Sequence, residues 1–111
     1  MSQAVIDLLL SRRSVLAKDL GEPGPSAEQL ETILAAGLRV PDHGRVEPWR
    51  IQVLHKAAQA SLARLCREIF ERENADASSV LIEAEHERMQ RSPLLLVVSS
   101  HPDPQRFVKV P

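Results

Sequence analysis

Leu94-Leu95-Leu96-Val97-Val98 is the stretch that most narrows the folds open to this chain. It is an apolar run without alternation, bounded by Ser92-Pro93 on one side and Ser99 on the other. A strand with one wet face alternates polar and apolar side chains, so an unbroken run of this length predicts a central strand covered on both faces. The sequence offers one other strand, Arg50 to His55, where Ile51 and Val53 alternate with polar neighbours. Helical spacing dominates the rest. The expectation is a mixed, layered domain of about four helices and two strands, with fewer strands than a stable sheet usually has.

Ser2 can cap a first helix in which Val5, Ile6, Leu9 and Leu10 recur at helical spacing, ending near Arg12-Arg13-Ser14. Gly21-Glu22-Pro23-Gly24-Pro25 breaks that pattern and reads as a linker within the domain. Ser26-Ala27-Glu28-Gln29 fits a capping box, and Leu30, Ile33, Leu34, Gly37 and Leu38 follow as one apolar stripe. Gly37 is expected to permit close packing. Pro41 disfavours helical geometry at Val40 and closes the element with Arg39 in its last turn.

A third helix is predicted over Ala57 to Arg72, with Leu62, Leu65, Cys66, Ile69 and Phe70 on its buried face. Glu73 to Ser79 reads as a loop. Ser78 or Ser79 would cap a fourth helix running through Gln90, whose few apolar positions are Val80, Leu81, Ala84 and Met89.

The totals exclude several functional classes. Among 111 residues, 43% hydrophobic and 26% charged positions describe an ordinary globular chain. Lys plus Arg number 14 against 15 Asp plus Glu, so the net charge of -1 attracts neither nucleic acid nor an anionic membrane. The longest apolar run is far short of the roughly 20 residues a membrane helix needs. A single cysteine, Cys66, cannot close an intrachain disulfide, and no apolar run follows a basic start as in a secretory signal. These features point to the cytoplasm. Within its apolar stripe Cys66 reads as a small buried thiol rather than a nucleophile.

No His-Glu-x-x-His or paired-Cys spacing supports a metal, and no Gly-x-Ser-x-Gly turn presents a nucleophile. Nor do the four glycines form a Gly-x-Gly-x-x-Gly or P-loop cradle, so a bound phosphate would need side chains. Arg12 and Arg13 supply guanidinium forks and Ser14 a hydroxyl that could hold one. The same two cations could instead serve to compensate the negative end of the first helix. Arg39 and His43, on either side of Pro41, form a second polar pair suited to a flat heterocycle with carbonyl and ring-nitrogen acceptors. They lie in the connector Arg39 to Arg50, which also holds the only Trp and has the makings of a binding loop. His55, His86 and His101 are assigned exposed polar or loop roles.

Taken in order, Leu9-Leu10-Ser11-Arg12-Arg13-Ser14, the capped helix at Ser26, Ile33 to His43 and Glu47-Pro48-Trp49-Arg50 resemble the nitroreductase family. The likeness is to small bacterial NAD(P)H nitroreductases with Pro-Asp-His in place of the more usual Pro-Ser, and it runs through the strand at Leu94 to Lys109-Val110-Pro111. It implies an α+β fold and an FMN-dependent oxidoreductase. NAD(P)H would be the co-substrate and a nitroaromatic, a quinone or a similar small molecule the acceptor. It further implies an intertwined homodimer with FMN at the interface. Arg12, Arg13 and Ser14 would contact FMN from one protomer, and Arg39 and His43 would reach the flavin held mainly by the other. Arg13 would lie near N1 and the C2 carbonyl, and Pro48-Trp49 would shape the loop. No protein residue is expected to act as a nucleophile.

Family members continue beyond the Lys-Val-Pro segment. The expectation is therefore that residues 1–111 form the N-terminal portion of a single nitroreductase-like domain. Two other functions stay open: a non-catalytic flavin-binding or interaction module, and a related flavin reaction such as reductive dehalogenation.

Overall fold

The computed structural model describes residues 2–40, 47–101 and 103. Among them are four α-helices and two strands: α1 (Gln3–Ser11), α2 (Ala27–Gly37), β1 (Trp49–Leu54), α3 (Lys56–Glu73), α4 (Ser79–Arg88) and β2 (Leu95–Ser100), with a 3-10 turn at Ala17–Asp19. The α+β class expected from the sequence is present.

β1 and β2 pair antiparallel, with Ile51 opposite Val98, Val53 opposite Leu96 and Trp49 opposite Ser100. Because side chains alternate across a strand, these residues share one face of the sheet, and Arg50, Gln52 and Leu54 share the other with Ser99, Val97 and Leu95. The backbone N–H of His101 extends the pairing by donating to Pro48 O. The double cover that the composition of β2 predicts is not formed among the described residues, where the strand has one neighbour and Val98 is 67% exposed.

α3 follows β1 after one residue and packs on both β1 and α4. Arg67 of α3 reaches Glu71 at 3.0 Å and, across the helix pair, Glu83 of α4 at 3.6 Å. All three side chains are about half exposed, so these pairs fix orientation more than they add stability. Side chains fully removed from water are few. Among the described residues only Ala63, Gln59 and Ser92 are buried.

That short core corrects the sequence reading at several points. Leu65, placed on the buried face of α3, is 52% exposed, whereas Leu62, Cys66, Ile69 and Phe70 of the same stripe are half-buried and the fully buried positions are Gln59 and Ala63. Cys66 is half-buried. α4 turns Ile82, Glu85, His86 and Met89 inward, whereas Val80, at 75% exposed, Leu81 and Ala84 face water. His86 is consequently not an exposed polar residue. Its Nδ1 is buried with no hydrogen-bond partner among the described residues. Gly37 likewise permits no close approach, since a Cβ built there meets nothing within 4 Å. Gly24 takes that role, where a Cβ would sit 3.1 Å from Pro93 Cβ.

Capping follows the sequence more closely. The Ser26 hydroxyl accepts from Gln29 N at 3.1 Å and Gln29 Oε1 accepts from Ser26 N at 2.9 Å, which completes the capping box of α2. Ser78 caps α4 by accepting from Leu81 N. Ser2 occupies the N-cap of α1, yet its side chain makes no capping bond. None of the helices in the described residues is long and apolar enough to cross a membrane.

Candidate functional site

α1 ends when Arg12 leaves helical geometry for extended backbone, its N–H closing the last turn on Leu8 O at 2.8 Å. The last turn of α1 therefore contains no cation, and Arg13 and Ser14 lie beyond the helix. Arg12 is the C-cap of α1, so the pair stands at the helix end. Arg12, Arg13 and Ser14 are all exposed, and neither guanidinium nor the hydroxyl has a hydrogen-bond or ion-pair partner among the described residues. Unengaged donors of this kind can accept an anionic ligand without first breaking an internal bond.

Arg39 sits two residues past the end of α2, beyond the C-cap Leu38 rather than in the last turn. Its N–H donates to Ala36 O at 3.2 Å, and its side chain is exposed. No hydrogen bond or ion pair joins it to the Arg12–Ser14 group among the described residues. His43 lies outside the described residues, as does half of the connector, residues 41–46. No group of three His, Cys, Asp or Glu that could hold a metal occurs among the described residues.

An apolar groove of about 410 Å³ is formed where α2 faces the sheet. Ile33, Leu34 and Gly37 line it from α2, Trp49 and Ile51 from β1, Leu96 and Val98 from β2, and Val40 joins them from the start of the connector. The four strand residues all belong to the face defined by the Ile51–Val98 pairing. Half of the groove was legible, because the stripe on α2 has helical spacing. The β2 half was not, since an unbroken apolar run carries no alternation to say which side chains share a face.

α1 presents a second apolar surface. Of its large apolar residues only Ile6 is half-buried, while Leu10 is 82% exposed. Surfaces of this extent on one small chain mark places where further protein or a ligand can be accommodated.

With this geometry in hand, the comparisons with known proteins are specific. The chain belongs to the nitroreductase family, a family of oxidoreductases, whose sequence model matches residues 9–109. That span holds Arg12, Arg13, Ser14, Arg39 and His43. Over 106 residues, 96% of this chain, it is 33% identical to a Haemophilus influenzae (strain ATCC 51907 / DSM 11121 / KW20 / Rd) protein named "Putative NAD(P)H nitroreductase", and covers 55% of that protein. Over 49 residues, 44% of this chain and 26% of the relative, it is 49% identical to "Putative NAD(P)H nitroreductase YdjA" of Escherichia coli (strain K12). The matches thus span 55% or less of the length of these curated relatives.

Proposed function

We propose that this chain belongs to an FMN-dependent NAD(P)H oxidoreductase that reduces nitroaromatic, quinone or similar electron-poor small molecules. The observation that carries the reading is the unengaged Arg12-Arg13-Ser14 group just beyond the end of α1, inside the family match. Its donors suit the acceptors of FMN: guanidinium forks for the phosphate or the C2 carbonyl, and a hydroxyl for the ribityl-phosphate chain.

Bound FMN would supply the hydride chemistry, taking two electrons from the reduced nicotinamide and passing them to the acceptor. The protein's part is to bind, orient and set charge. Arg13 near N1 and the C2 carbonyl would favour an anionic reduced flavin, with Arg12 and Ser14 holding the phosphate end. Arg39 and His43 would complete the site from a second protomer, in a cytoplasmic homodimer. No nucleophilic side chain is required.

The reading predicts that the purified chain takes up FMN and that NAD(P)H bleaches the bound flavin under anaerobic conditions. Failure to bind FMN would overturn it. The same experiment has a second outcome. FMN that binds but is not bleached by NAD(P)H would identify a binding module. Product analysis then separates nitro reduction from reductive dehalogenation.

A further inference from the structure

We draw no further inference here: the strongest candidate, the apolar groove between α2 and the two-stranded sheet lined by Ile33, Leu34, Trp49, Ile51, Leu96 and Val98, is an unpartnered face, and nothing in the structure shows what covers it.

Discussion

Lys56 Nζ stands 2.9 Å from the carbonyl oxygen of Ser92 and 3.0 Å from that of Gln90, so the first residue of α3 grips the turn that delivers the chain into β2. A point charge with several donors can hold two carbonyls at once, and the Ser92 hydroxyl tightens the same turn by donating to Leu94 O at 2.8 Å. Lys56→Met keeps the helix propensity and most of the aliphatic stem but removes both bonds. Partial exposure of the pair discounts the value of a charged hydrogen bond, leaving an expected loss of about 1 kcal/mol. Urea unfolding, followed by fluorescence of the single tryptophan, Trp49, checks this. An unchanged midpoint would mean that the turn is held by Ser92 alone.

Gln59 is fully buried, with Nε2 donating to Leu54 O at 3.1 Å and Oε1 unpartnered among the described residues. An orphaned buried acceptor costs about 1–3 kcal/mol, whereas the bond made by Nε2 returns about 1 kcal/mol. Gln59→Met keeps the volume and removes the orphan, so its stability is expected within about 1 kcal/mol of the parent chain. Gln59→Ala leaves a cavity beside Ala63 and is expected to lose about 2 kcal/mol or more. The comparison is made by chemical denaturation of both variants. Equal losses would show that the bond to Leu54 outweighs the packing.

Among the described residues three serines occupy N-caps; Ser26 and Ser78 cap with their side chains and Ser2 does not. Ser26→Ala removes the hydroxyl of the completed box on α2 and is expected to cost about 1 kcal/mol. Ser2→Ala removes no capping bond from α1, so its effect is expected to stay within about 0.5 kcal/mol. Both are read from unfolding midpoints. The contrast was not available from the sequence, where each serine precedes a helix and looks alike.

The two glycines with opposite surroundings give a similar test. Gly37→Ala places a methyl group in open space at the last residue of α2, and the gain in helix propensity should raise stability by about 0.5 kcal/mol. Gly24→Ala drives a methyl group to 3.1 Å from the Pro93 ring, which has little freedom to yield, and is expected to destabilise by about 1 kcal/mol. Thermal melts of the pair should move in opposite directions. From sequence alone the close approach falls to Gly37, because a glycine within an apolar stripe is indistinguishable from one that a neighbour presses against.

What the sequence disclosed was local. The capping box at Ser26, the helix breaks and both strands follow from residues a few positions apart, and the structure places them where those residues require. What it hid was which apolar positions find partners. Of the apolar positions Val80, Leu81, Ala84 and Met89, only Met89 turns toward the protein, together with Ile82, Glu85 and His86. Four scattered apolar residues among many charges do not define a stripe, so the packing of α3 decides the rotation of α4. The same gap affects the candidate site. Arg12, Arg13 and Ser14 are legible as a run at the end of the first helix, but that their donors have no partner among the described residues is a packing feature that composition does not encode.

That run sets the final prediction. If Arg12 and Arg13 only compensated the dipole of α1, replacing them would lower helix stability and leave flavin affinity alone. Arg12 is the C-cap of α1 and Arg13 follows it, so their unengaged donors stand at the helix end, where a dipole role and ligand binding predict different outcomes. Arg12→Ala combined with Arg13→Ala is expected to weaken FMN binding by about 1.5–3 kcal/mol for each charged hydrogen bond lost, roughly tenfold or more per arginine. Quenching of flavin fluorescence gives the affinity, and the urea midpoint of the same variant gives the stability. Weaker binding at unchanged stability assigns the pair to the cofactor. Lower stability at unchanged FMN affinity returns them to a structural role and removes the observation on which the flavin reading rests.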